Sequence, residues 1–456
     1  MMKLYHAFIN SSLDISPLGL EVVDEQCSVP FAPRGAKVIA RLTKKPEVCF
    51  CLVDSMGTTV FAVDPDAADG DCIHPVAENL LQFIGMLISC PDAALLAGIH
   101  RWSKLYFDNL ATGLRPGGKT ASVLRAFQNT YHPPVIQDPW SATAELEAQF
   151  PIGKASAPWH VGFGKDFGED CGKQTPGKVI PLNRSFNEKG VHWQIPVVYA
   201  CPEGVVVDAV LQIPPEQILS YQKRWANRSQ DVLSIPDQLS RGLEDPLLPY
   251  SEGLILVNEK PVRPSQTFTR CWDPLLENSP ECLKVLKHFG LNRNNGYLLY
   301  RFCFPRKGKQ PPIRTLQLCL NPIPTMVPGD RFTAAAGKKV AFTHPATGTK
   351  HILTVISQTQ EALNPNFLTN HPCCYNRLVY TLEPAIGGDG FRVVDQDPGD
   401  PWENVSEDPL ETVGNTGKAP GRVAISSLRH TPTDRTTWRM LLRCKPRPDV
   451  RIKLLP

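Results

Sequence analysis

Apolar residues fall on both faces of one early stretch. Val48, Phe50 and Leu52 alternate with Cys49, Cys51 and Val53, which predicts a strand buried on two sides. Asp54-Ser55-Met56-Gly57 is a turn in which Gly57 supplies a positive φ. Thr58 to Val63 is rich in β-branched residues and forms the returning strand, stopped by Asp64-Pro65-Asp66. The period then changes. Leu80, Phe83, Ile84, Leu87 and Ile88 recur at three- and four-residue steps, predicting a helix from about Val76. Pro91 and Asp92 suit the start of a second helix, whose face continues through Leu95, Ile99, Trp102 and Tyr106 while Arg101, Lys104 and Asp108 stay wet. Two strands packed on two helices make a small α+β core.

Further along, glycine and proline punctuate shorter runs. Gly113 to Gly118 closes the second helix, Thr120 to Gln128 and Ser141 to Gln149 predict two short helices, and prolines crowd the segment around them. Val191–Tyr199 and Gly204–Ile213 are strands flanking Cys201-Pro202-Glu203, and Pro214-Pro215-Glu216 opens a helix to Trp225. Residues 226–280 read mostly as connection, with one strand at Leu254–Val257. Glu281–Phe289 is a helix capped by Gly290. Beyond it come strands at Tyr297–Phe304, Arg314–Leu320, Lys338–Thr343, His351–Ser357, Leu378–Leu382, Phe391–Val394, Arg422–Ser427, Trp438–Cys444 and Val450–Leu455. The fold class is therefore α+β: an N-terminal α+β domain of strands and two helices, followed by a β-rich sandwich or barrel-like region with few short helices. Four segments result: 1–112 (α+β), 113–159 (a proline-rich linker with short helices), 160–304 (mixed α+β) and 305–456 (β-rich). The acidic stretch 387–421 is expected to be a mobile loop, because it offers too few apolar residues to offset its ordering entropy.

The run VFAVDP, a short loop and then PVAENLLQFIGMLISC resembles the SUKH superfamily of α+β recognition domains, in which a V-x-x-V-type strand end is followed by an apolar helix. The resemblance implies a protein-binding module, often an immunity protein against a toxin. The chain as a whole looks similar to uncharacterised bacterial proteins.

Composition narrows the field further. Of 456 residues, 42% are hydrophobic and 20% charged, ample for buried cores; 44 prolines fit many short strands and irregular connections. A net charge of +3 argues for no nucleic-acid partner and no membrane-surface partner. No apolar run is long enough for a membrane span, and MMKLYHAFINSSLD lacks the apolar core of a signal peptide, so a cytoplasmic location is expected. The 14 cysteines are scattered, many within strand-like runs such as Cys49, Cys51, Cys303 and Cys319, as expected for reduced core thiols.

Candidate chemistry is sparse. Gly162, Gly164 and Gly168 are spaced G-x-G-x-x-x-G with no clear strand before them, so a turn-rich loop is expected there and not a phosphate cradle. His344, His351, His371, Cys373 and Cys374 are the right donor types for zinc but match no established ligand spacing. Cys201 and Cys171 are the least core-like thiols, with His192 and His160 as candidate bases for nucleophilic chemistry. Trp159, Trp193 and Trp272 lie near proline, cysteine or glycine and are candidates for interface packing or a binding platform. No motif calls for a cofactor. Two readings follow: a non-catalytic, cytoplasmic bacterial protein that binds another protein through its N-terminal unit, or a hydrolase-type enzyme whose thiol or metal site is assembled from loops of the β-rich region. Oligomeric state is left open.

Overall fold

The computed structural model describes residues 2–23, 35–67, 71–150, 159–188, 191–226, 233–248, 251–306, 312–363, 373–396, 421–433, 435–445 and 449–455. The chain is α+β and rich in antiparallel strands, and it divides into two units. One holds residues 1–215 with 265–308; the other holds 216–264 with 309–456. The two units cut across the four segments expected from the sequence.

The first unit opens with helix α1 (Met2–Ile9) and an antiparallel meander of β1 (Leu20–Glu21), β2 (Ala36–Leu42), β3 (Cys49–Val53), β4 (Val60–Val63) and β5 (Ile73–Ala77). Every residue of β3 is buried. Phe50 and Leu52 join the main core, whereas Cys49, Cys51 and Val53 pack on the other face with Phe61 and Val63. Gly57 has φ 76°, as the turn requires.

The segment after Asp71 departs from expectation. Ile73–Ala77 extends the sheet as β5, and helix α2 (Leu80–Ser89) starts only where Asn79 accepts a hydrogen bond from the Gln82 amide. Val76 fits a helical stripe by spacing, but Pro75 and pairing with β4 hold it extended. The second predicted helix breaks into α3 (Ala93–Ala97), a 3-10 turn (Ile99–Arg101) and α4 (Lys104–Gly113), because Asp92 and Ser103 each cap a new start. Two further helices, α5 (Gly118–Tyr131) and α6 (Pro139–Gln149), occupy the expected linker, and their Val123, Phe127 and Trp140 belong to the N-terminal core.

The unit's second sheet has the order β11-β12-β8-β7-β6, comprising Gln266–Trp272, Gly296–Pro305, Gly204–Ile213, Val191–Cys201 and Lys178–Glu188. Helix α9 (Pro280–Phe289) packs its Leu283 and Leu286 beside Trp272 of β11 and ends at Gly290 with φ 64°.

The other unit begins with α7 (Pro215–Trp225) and α8 (Ile235–Glu244). One of its sheets is β10-β9-β13-β21: Lys260–Val262, Ser251–Val257, Leu316–Pro322 and Val450–Leu455. A β-sandwich makes up the rest. Its three-stranded sheet is β14 (Thr325–Thr333), β20 (Thr437–Cys444) and β18 (Phe391–Asp395). Its four-stranded sheet is β15 (Lys339–Thr343), β16 (Lys350–Ala362), β17 (Cys374–Glu383) and β19 (Arg422–Ile425). Leu353, Val355 and Tyr380 of one sheet meet Trp438, Met440 and Val393 of the other in a single core. Of the acidic stretch 387–421, the first part forms β18, and residues 397–420 lie outside the described residues. Residues 226–280 hold α8 and β11 in addition to the expected strand. No helix among the described residues is long and apolar enough to cross a membrane.

Candidate ligand cleft

Asp64 stops β4, and its carboxylate points inward, about 8% exposed. It accepts from Lys45 Nζ at 2.9 Å and from Arg101 Nη2 at 2.5 Å. Burial raises the carboxyl's pKa, but these two cations outweigh it and hold the group below the ordinary carboxylate value. Lys45 comes from the β2–β3 connection and Arg101 from the 3-10 turn after α3, so one carboxylate ties together two loops far apart in sequence. The cations remain partly open, at 40% and 35% side-chain exposure. Both can therefore present unused donors to a ligand.

Those donors border a cavity of about 450 Å³. Leu18, Leu42, Val48, Ala94 and Ala97 make its apolar walls, Lys44 and Asp92 stand among its charged residues, and Trp102 lines it too. Its size falls within the range of roughly 300–1,000 Å³ typical of small-ligand clefts. The charges lining it, Lys44, Lys45 and Arg101 against Asp64 and Asp92, leave a net of 3 − 2 = +1. Such a site suits a ligand with one anionic group and an apolar body.

Behind the cleft lies a buried polar layer. The His100 ring stacks on His74 with centroids 3.2 Å apart and planes 14° from parallel, and Arg101 Nε faces His100 Nε2 at 3.4 Å. Burial is the main cause that keeps the His100 pKa well below its ordinary value, with His74, Lys287, Arg101 and Arg293 adding to it.

The residues singled out from the sequence fall elsewhere. Cys201 ends β7, and the loop after Trp159 brings Cys171 and the exposed His160 toward the same end of the sheet. His192 sits at the opposite end of β7, roughly 30 Å away at ~3.3 Å per residue, so it cannot act as a base for Cys201. Cys201 Sγ faces the Val161 carbonyl at 4.0 Å instead of an imidazole. Burial pushes its thiol up to about 11 and raises that of Cys171 as well, so both stay protonated near neutrality.

The metal set is likewise divided. His344 and His351 lie at the hairpin end of β16, their rings 6.2 Å apart, with His351 Nδ1 at 2.8 Å from the Pro384 carbonyl. Cys373 precedes β17, whose Cys374 pairs with Ala362 at the far end of β16, roughly 35 Å from His351 at ~3.3 Å per residue. His371 lies outside the described residues. Among the described residues, no three His, Cys, Asp or Glu side chains converge as a metal site.

Of the tryptophans, Trp193 and Trp272 are core residues, 0% and 1% exposed, and Trp272 Nε1 donates to the Arg293 carbonyl at 2.9 Å. Neither can form an exposed platform. Trp159 is half-buried and stacks on His288 at 4.4 Å.

Lys45, Asp64 and Arg101 carry no motif. Asp64 reads as a strand stop and Arg101 as part of a wet helix face. The one local hint is the Lys44-Lys45-Pro46 run between two strongly predicted strands. The chain matches no protein-family model, no curated protein and no solved structure.

Proposed function

We propose that this chain is a recognition protein whose N-terminal α+β layer binds a carboxylate-bearing segment of a partner protein in the cleft between Lys45 and Arg101. The observation that carries the reading is the pair of half-exposed cations anchored on one buried carboxylate beside an apolar-walled cavity. Asp64 fixes the two side chains before the ligand arrives, which lowers the entropy lost on binding. An arginine fork can hold a carboxylate with two parallel bonds, while Lys45 adds a point charge. The SUKH-like pattern of residues 60–90 supports protein binding of this kind, and a bacterial cytoplasmic setting belongs to the same proposal. Buried thiols within strands, such as Cys49 and Cys51, suit a reducing compartment.

The test uses the full chain and a panel of fluorescent acidic peptides with free C-terminal carboxylates, read by anisotropy. Binding is expected for a subset. Arg101→Ala and Lys45→Ala should each weaken it about tenfold, equal to ~1.4 kcal/mol. Peptides that bind both variants as well as the parent, or no binding across the panel, would reject the reading.

A further inference from the structure

Cys373 and Cys374 are adjacent in sequence, both half-buried, with their sulfurs 3.9 Å apart. In a regular strand, neighbouring side chains point to opposite faces and such sulfurs diverge. Here the backbone is bent around one carbonyl. The amides of Cys373 and Cys374 both donate to Arg429 O, at 3.0 and 2.9 Å. The Arg429 amide returns a bond to Cys374 O at 2.8 Å, and Leu363 N donates to Cys373 O at 2.8 Å. Main-chain bonds on both sides thus fix the backbone that carries the two thiols.

Their separation discriminates between chemistries. A disulfide needs sulfurs about 2.05 Å apart and Cα atoms about 4.4–6.8 Å apart. Adjacent residues have Cα atoms only about 3.8 Å apart, so closing this pair would strain the peptide. A tetrahedral d10 cation with two metal–sulfur bonds of about 2.3 Å places its sulfurs about 3.8 Å apart. The observed spacing matches that bite. We propose that Cys373 and Cys374 form a bidentate dithiolate site for a thiophilic divalent cation of the zinc and cadmium type.

Binding exchanges two S–H bonds for two metal–sulfur bonds and releases both protons to solvent, with no change of oxidation state. Among the described residues no third His, Cys, Asp or Glu side chain converges with the pair. Cys49 and Cys51, by contrast, are fully buried in β3 and closed to an incoming ion.

The experiment titrates the reduced, chelator-treated full chain with cadmium alone and follows the thiolate-to-cadmium ultraviolet absorption. About one equivalent should bind, with loss of about two reagent-accessible thiols. Cys373→Ser or Cys374→Ser should weaken binding at least tenfold, while Cys72→Ser, Cys201→Ser and His344→Ala leave it unchanged. A monosubstituted trivalent arsenical, which requires two neighbouring thiols and expels two waters on reaction, gives a reading on the unaltered chain; its adduct should map to the peptide holding 373–374. Absence of the absorption, its persistence in the Cys373→Ser/Cys374→Ser double variant, or an arsenical adduct elsewhere only would overturn the proposal.

Discussion

At the residue scale, Arg301 and Asp208 set the clearest demand. They face each other across β12 and β8, 1% and 0% exposed, joined by two bonds of 2.8 Å. Arg301 also donates to the Asp166 carbonyl at 3.0 Å and lies 4.3 Å from the Phe167 ring. Removing one charge strands the other in a dry interior, at ~3–5 kcal/mol, whereas replacing both by apolar groups of similar size leaves no orphan. Asp208→Leu and Arg301→Met should each lower unfolding free energy by about that amount, and the double variant by less than either. Urea denaturation followed by tryptophan fluorescence checks this, and simple additivity would contradict it. His100 sets a pH dependence. Its folded-state pKa is depressed, so its contribution is fully present above the unfolded value of ~6.5 and declines as pH falls below that. Melting temperature should therefore drop between about pH 7.5 and 5.5, and His100→Gln should flatten the slope. Asp64, also depressed, acts only as pH falls below its ordinary value near 3.8, so the two windows separate.

At the scale of elements, two glycines inside helices should behave oppositely. A Cβ on Gly85, in the middle of α2, would lie 2.4 Å from the Pro134 carbonyl oxygen, a backbone atom with little room to yield. The helix-propensity gain of ~1 kcal/mol for alanine is then outweighed, and Gly85→Ala should destabilise by about 1–3 kcal/mol. Gly242, within α8, has open space where its Cβ would stand, so Gly242→Ala should stabilise by about 0.5–1 kcal/mol. Thermal denaturation of both variants reads the two signs. The apolar stripe of α2 was legible in the sequence; the reason for Gly85 was not, because Pro134 comes from a connection nearly fifty residues later. The same division runs through the chain. Hairpins such as β7–β8 and β15–β16 are marked by alternation and turn residues and stand where expected. By contrast β11 is a half-exposed edge of alternating threonines that no apolar period announces, whereas α8 was marked by Ile235, Leu239 and Leu243 at four-residue steps after its Ser234 cap. The cleft was least legible of all, since Lys45, Asp64 and Arg101 acquire meaning only when three separate turns meet.

At the scale of the molecule, the order of the chain and the order of the sheets disagree, and that has a consequence for dissection. The first unit's second sheet is completed by β11 and β12, which the chain supplies only after passing through residues 216–264 of the other unit. In that sheet β12 pairs with β8 along its whole length, from Gly296 opposite Ile213 to Pro305 opposite Gly204. A chain cut after residue 215 would leave β8 as an edge carrying Val205, Val206, Val207, Val210 and Leu211, all buried in the intact protein. A long, flat apolar edge of this kind templates association. It would also leave Asp208 buried without Arg301. Residues 1–112 alone fare no better, since they lack Val123, Phe127 and Trp140, which α5 and α6 contribute to the N-terminal core. Fragments 1–112 and 1–215 should therefore aggregate or remain unfolded, while 1–308 retains every strand of both sheets in the first unit. Expression of the three fragments, compared by size-exclusion chromatography and amide hydrogen exchange, decides the matter. A monomeric 1–112 with slow exchange across β3 and α2 would show that the sheet of β1–β5 stands without its later helices, and that the boundary expected at residue 112 is a real one.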